Sequence, residues 1–284
     1  MKSDYEHQSK RNGELVDTVK EIRDEDPGIG CFKLFIMACS IFGRDGVPGR
    51  DSFFKLLRRN RLMLKRPKPR RTTNSNHRYH KYRNHIKEFV PTGPNQLWVS
   101  DITYVDIDGG CCYLHLITDG YSHKILGWKL ADTLKAAITT NALQDAIDHT
   151  GRNDLTGVIH HSDRGIQYCC DMYIDKLKQY NITISMTEDY KPTDNAIAER
   201  VNGIIKQECI YRVKHFKDAD QARAVIGRFI CFYNNRRPHM SIGMLTPEAA
   251  HLQSGEHKKM WKTKVYSSNK TLVQENDVFL CTQP

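Results

Sequence analysis

The sequence predicts an α/β protein: a mixed five-stranded sheet flanked by helices and preceded by a small helical domain. Two observations predict it. From Leu97 the chain reads as three β-rich runs joined by tight turns, after which helical and strand patterns alternate. Before that point, apolar residues recur at helical spacing in three short segments separated by glycine-containing turns. With 284 residues, 39% of them hydrophobic, the chain is long enough to bury one such core and a smaller module.

In the N-terminal region, residues 1–64, Leu15, Val19 and Ile22 mark a first helix ending near Asp26-Pro27-Gly28. Phe32 to Phe42 form a second, bounded by Gly43, and a third begins at Asp51-Ser52, where either residue suits the N-cap. Three such helices are compatible with a helix-turn-helix-like bundle, expected here to bind DNA, although periodicity alone does not separate it from any other small helical domain. Residues 65–94 read as a basic linker closing on Pro91-Thr92-Gly93-Pro94-Asn95. The main domain, residues 95–250, opens with strands Leu97–Asp106, Cys111–Asp119 and Lys124–Ala131, the first turn signalled by Asp108-Gly109-Gly110. A helix over Thr133–His149, a strand over Val158–His161, a helix over 166–180 and a strand over Ile182–Met186 follow. The helix of Glu199 and one from Asp220 to Tyr233 complete the pattern. A hairpin meander followed by helix–strand alternation places helices on both faces of a mixed sheet, the layout of a ribonuclease-H-like domain. Residues 251–284 read as a C-terminal surface tail, including Lys258-Lys259-Met260-Trp261-Lys262.

Composition narrows the function. No run approaches the ~20 apolar residues of a membrane span, and Met1-Lys2-Ser3-Asp4-Tyr5-Glu6 is no signal region, so a cytoplasmic location is expected. Nine cysteines without any Cys-x-x-Cys argue against zinc and disulfides and for small buried hydrophobes. The net charge of +10 is uneven: residues 1–40 sum to −2, residues 41–90 to +12 and the remainder to zero. The excess is densest at Lys65, Arg66, Lys68, Arg70 and Arg71. Such a block is either a solubilising linker or a contact for a polyanion, of which nucleic acid is the commonest.

Three acids stand in segments that look built around them. Asp101 ends the run Leu97-Trp98-Val99-Ser100, and Asp163 follows the apolar strand before Arg164-Gly165. Glu199, with 35 residues separating it from Asp163, lies on a helix. On that helix Ile197, Val201, Ile204, Ile205 and Cys209 form an apolar stripe, while Asn195, Glu199, Asn202 and Lys206 share another face. Taken singly, each acid has an ordinary alternative: Asp101 a turn or an arginine partner, Asp163 a helix N-cap, Glu199 a solvated face. Together, three carboxylates suit two Mg²⁺ ions, with Mn²⁺ as a substitute, for phosphoryl transfer. Of His160 and His161, which point to opposite faces of their strand, one is expected to line the site and the other to pack inside.

Four segments in this order resemble a known family. Trp98-Val99-Ser100-Asp101-Ile102-Thr103-Tyr104, His161-Ser162-Asp163-Arg164-Gly165-Ile166-Gln167-Tyr168 and Asp194-Asn195-Ala196-Ile197-Ala198-Glu199 look like three signatures of bacterial insertion-sequence transposases. The likeness is to the second-reading-frame (OrfB) product of insertion sequence family three, whose core is similar to retroviral integrases. Tyr233-Asn234-Asn235-Arg236-Arg237-Pro238-His239 with Leu245-Thr246-Pro247 resembles the family's C-terminal signature. The resemblance implies that Asp101, Asp163 and Glu199 are the catalytic metal ligands and that Lys206 contacts the element end. It implies a DNA partner, oligomers on DNA, a nucleoid-associated location, and cleavage of element ends followed by joining of the 3′-hydroxyl. The upstream recognition segment and coiled coil, supplied in the family by a first reading frame, make that product or a fusion with it an expected partner. A non-catalytic DNA-binding regulator and a simple nuclease are the other functions this fold would serve.

Overall fold

The structure, a computed structural model, describes residues 2–64, 79–188, 195–213, 215–257 and 260. Lys65, Arg66, Lys68, Arg70, Arg71 and Asp194 lie outside the described residues, as does the tail beyond His257 except Met260. Among the described residues no helix is long and apolar enough to cross a membrane.

Helices α1 (Lys2–Glu25), α2 (Cys31–Phe42) and α3 (Arg50–Arg59) come first. Leu15, Val19 and Ile22 of α1 meet Leu34, Ala38, Phe53 and Leu57 in a cluster that also takes in Phe232. The expected N-cap is corrected here: α3 begins one residue before Asp51, Gly49 occupies the cap, and no side chain bonds the free amides.

The sheet has the order β3-β2-β1-β4-β5, built from β1 (Leu97–Ile107), β2 (Gly110–Asp119), β3 (Ile125–Ala131), β4 (Ile159–Ser162) and β5 (Thr183–Met186). The first three strands run antiparallel, and β1, β4 and β5 are parallel. Strand β3 starts after Lys124 because the preceding turn is tied to Asp119, whose carboxylate accepts the amides of Tyr121 and Ser122. One face of the sheet packs α4 (Ala136–Thr150), α5 (Ile166–Cys169) and α6 (Asp171–Gln179) around Trp98, Ile117 and Leu126. The helix expected over 166–180 is therefore two, broken at Cys170, whose extended backbone (φ −72°, ψ 151°) cannot continue a helix.

The other face carries α7 (Ala196–Ile204), a π-helical turn (Ile205–Cys209) and α8 (Ala219–Asn235), packed on Val105, Leu114, Leu116 and Leu130. A short α9 (Pro247–His251) follows, capped by Thr246. Cys112, Cys169 and Cys209 are buried as expected, but Cys231 is exposed on α8 and four others are half-buried, so the cysteines are not uniformly core residues.

Candidate active site

Parallel pairing brings the two aspartates to one place. Val99 of β1 pairs with His161 of β4, and the same register continued by two residues sets Asp101 level with Asp163. Asp101 Oδ1 accepts the Ile102 amide at 2.8 Å, and Oδ2 accepts the Asn202 side-chain amide at 2.7 Å. Asp163 Oδ1 accepts the Gly165 amide at 2.9 Å. A Cβ on Gly165 would stand 2.9 Å from that same oxygen, so glycine is what allows the turn to close on the carboxylate. Gly165, not Ser162 or Asp163, is the N-cap of α5.

Half-buried Asp101 is pushed up to about 7, first by desolvation and next by the charge of Asp163, with the amide bonds and Lys206 pulling weakly the other way. The two carboxylates repel because they stand close together where water is largely excluded, and Lys206 opposes that repulsion only weakly at Asp101. Helix α7 is fixed to β1 by its amides: Asn195 Nδ2 donates to the Ser100 carbonyl at 3.1 Å, and Asn202 reaches Asp101. Both asparagines are buried, so they bond into the sheet instead of flanking a solvent-facing carboxylate as the helical spacing suggested. Glu199 stands one turn before Asn202 and is exposed, its carboxyl raised by partial burial. Among the described residues no three His, Cys, Asp or Glu side chains are close enough together to hold a metal. The structure thus sets Asp101 and Asp163 side by side and places Glu199 on the adjoining helix, outside their immediate group. Lys206 lies within electrostatic reach of Asp101, in the π-helical turn. A turn of five residues there breaks the strict helical spacing from which the common face with Glu199 was inferred.

The expectation for the histidine pair is corrected: both rings are buried, and neither lines an open site. His160 Nε2 meets Ser100 Oγ at 2.6 Å and Tyr173 Oη at 2.9 Å, while His161 Nδ1 meets Ser185 Oγ at 2.8 Å. Desolvation holds His160 down at about 3, so it is neutral.

Asn202 is the residue near the carboxylates that sequence reasoning undervalued. The usable signal was its position three residues after Glu199, on the face that meets β1. A second site went unread altogether. Arg237, 1% exposed, donates from Nε and Nη2 to Glu208 at 2.6 and 2.7 Å. Lys33 Nζ lies 3.3 Å from the same carboxylate, and Asp26 Oδ2 lies 3.7 Å from Arg237 Nε. This cluster locks the N-terminal helices onto the π-helical turn. Gly28 makes the approach possible, since a Cβ there would fall 2.1 Å from Glu208 Cα.

Comparison with known proteins follows the same outline. The integrase core domain matches residues 91–192, and a second integrase core domain model matches residues 180–247. A Mycobacterium tuberculosis protein named as transposase for insertion sequence element IS986/IS6110 is 31% identical over 244 residues, 84% of this chain and 86% of its own. The transposase InsF for insertion sequence IS3A of Escherichia coli K12 is 37% identical over 163 residues, covering 57% of this chain and 56% of its own. Among solved structures, a chain of the simian T-cell lymphotropic virus intasome in complex with PP2A regulatory subunit B56 gamma superposes with a TM-score of 0.50. It is 18% identical and covers 78% of this chain and 73% of its own, a likeness of fold.

Proposed function

The chain belongs to the transposases of insertion sequence family three, built on an integrase core, and from this we propose that it cuts the ends of its element and joins each freed 3′-hydroxyl to a target phosphate. It is an enzyme of the polynucleotidyl-transferase type. The observation that carries the finer reading is the Asp101–Asp163 pair: one carboxylate within β1 and one just past the end of β4, side by side, the first raised to about 7 by burial and by the other.

These residues fit a divalent cation. Oxygen donors match a hard ion, and the repulsion that raises Asp101 is what such an ion relieves. Asp101 and Asp163 would hold it, with Glu199 completing a site for two Mg²⁺, or Mn²⁺ in their place. Bound there, the ions would supply charge neutralisation at the attacking and leaving oxygens. The chain's own part is positioning. The Asn202 amide orients Asp101, the Gly165 amide orients Asp163, and Lys206 is set to meet a backbone phosphate of the element end. No covalent enzyme intermediate is needed, since the 3′-hydroxyl is itself the nucleophile. An element has two ends and each chain one such site, so the acting form is a multimer on DNA, with or without a first-reading-frame product. The basic stretch at Lys65, Arg66, Lys68, Arg70 and Arg71 supplies further phosphate contacts in this reading.

The test is incubation of the chain with element-end DNA and Mg²⁺, scoring nicked against joined product. Joined product that disappears in Asp163→Asn while DNA binding persists is the expected result. Nicking without joining would make the chain a nuclease, and DNA binding with no processing of either kind would make it a regulator.

A further inference from the structure

A cavity of about 490 Å³ opens beside α7 that the chemistry above does not use. It lies on the face formed by Ile197, Val201 and Ile204, not on the Asn202 face that meets Asp101. The opposite wall is aromatic. The Tyr233 ring meets His239 edge-on at 4.7 Å, and the His239 and His123 rings lie near-parallel, 25° apart in plane and 6.1 Å between centroids. Lys33, Arg200 and Arg237 also line it, and among the described residues no carboxylate does.

His123 is held in place at a conformational cost. It has a positive φ of 60°, in a turn fixed by Asp119 and by the Tyr233 hydroxyl, which donates to the His123 carbonyl at 3.0 Å. Among the described residues its ring nitrogens make no hydrogen bond. His239 Nε2 accepts from Arg237 Nη1 at 2.7 Å, which leaves the proton on Nδ1. Burial keeps His123 down at about 4 and His239 well below the usual imidazole range, so both rings are neutral. A neutral imidazole offers one donor and one acceptor, which suits the edge of a nucleobase better than a bare anion. Arg237 and Lys33 are already engaged by Glu208, leaving exposed Arg200 as the cation for a phosphate. The volume falls in the range of small-molecule sites, and flat walls of aromatic and aliphatic side chains are how flipped bases are held.

We propose that this cavity is a nucleotide pocket taking one base swung out of a DNA strand, the base lying between the His123–His239 wall, which buried Tyr233 backs, and the Ile197–Val201 wall with its phosphate at Arg200. The DNA strand as source rests on the transposase reading above; the preference for a nucleoside monophosphate does not.

The pocket is tested by calorimetric titration of the full chain with dAMP, deoxyadenosine and inorganic phosphate. The expected result is dAMP binding at least about tenfold tighter than phosphate, with Arg200→Ala reducing dAMP to the deoxyadenosine level. Ala196→Trp fills the mouth from an exposed position and removes dAMP binding without lowering the melting temperature. The source is tested with element-end duplexes carrying 2-aminopurine at successive positions. One position brightens on binding the wild type and stays dark with Ala196→Trp, while duplex affinity holds within about threefold. Equal binding of dAMP and phosphate, or dAMP binding that survives Ala196→Trp, overturns the pocket. Binding of dAMP with no responsive duplex position overturns the DNA strand as its source. Loss of joining in Asp163→Asn reports separately on the carboxylate chemistry.

Discussion

Two regions of this molecule draw acidic side chains out of water, and they resolve the cost in opposite ways. At Glu208 the guanidinium of Arg237 and the ammonium of Lys33 outweigh burial and hold the carboxyl at about 2. At Asp101 burial and Asp163 win, and only amides and the more remote Lys206 oppose them, leaving it at about 7. Removing carboxylates from water is costly in both cases. The first cluster contains the cations that offset the cost and therefore fastens two parts of the chain. The second leaves Asp101 raised by burial and by its neighbour's charge and is a place where a cation from solution lowers the energy. Even within the first cluster the balance is local: burial and the charge of Glu208 push Asp26 up to about 8.

The contrast is most easily broken at Arg237. Arg237→Ala leaves Glu208 buried without its main partner and should cost about 3–5 kcal/mol, read as a fall in denaturant midpoint. Asp101→Asn, also the loss of one charge, should instead raise the stability of the metal-free chain by on the order of 1 kcal/mol, since it removes a repulsion. If both changes destabilise alike, the distinction between charges that fasten the chain and charges that repel is wrong.

Activity gives the next largest effect. Asp101→Asn and Asp163→Asn should each reduce joined product at least about a hundredfold with duplex affinity nearly unchanged, by analogy with losing one preorganised charge-stabilising group. A variant that joins DNA within a few-fold of wild type would remove that aspartate from the proposed chemistry.

Metal addition sharpens the comparison further. Mg²⁺ at about a hundred times its dissociation constant should stabilise the wild type by about 2.7 kcal/mol and raise its melting temperature. Asp163→Asn should abolish the rise, whereas Asp26→Asn should leave it intact. An unchanged wild-type melting temperature at saturating Mg²⁺ and Mn²⁺ counts against a metal at the Asp101–Asp163 pair.

The last test is in pH, where the effect is spread over several units and is smallest at any one step. Asp101 has an ordinary value of 3.8 and is raised to about 7, so between those limits the unfolded chain has released a proton that the folded chain keeps. Stability therefore falls as pH rises through this window, by at most about 1.4 kcal/mol per unit, and the loss is complete above it. Asp26 adds a loss of the same sign extending to about pH 8, and the depressed His123 adds one of opposite sign, so the wild-type-minus-Asp101→Asn difference isolates the site. Saturating Mg²⁺ should flatten that difference; a difference unaffected by metal would assign the slope to burial alone.

Much of this was legible along the chain because it depends on local periodicity. The β-rich runs after Leu97, the turn at Asp108-Gly109, and the apolar stripe of Val201, Ile204, Ile205 and Cys209 each encode an element and the side it buries. The order of those elements sufficed for a mixed sheet covered on both faces, and the acids declared themselves as polar residues in apolar, β-rich surroundings, Asp101 within its strand and Asp163 just past its own. Tertiary structure alone decided what depends on pairing across distance. The register of β1 on β4 sets Asp101 beside Asp163, although 61 residues separate them in the chain. Packing of α7 turns Asn202 onto Asp101 and leaves Glu199 exposed, and the π-helical turn shifts Lys206 and Glu208 off the regular helical face. Glu208 then meets Arg237, Lys33 and Asp26, each from a different part of the chain. The reason is physical: periodicity states which side of an element is buried, whereas the partner of a buried charge is fixed only when the elements pack.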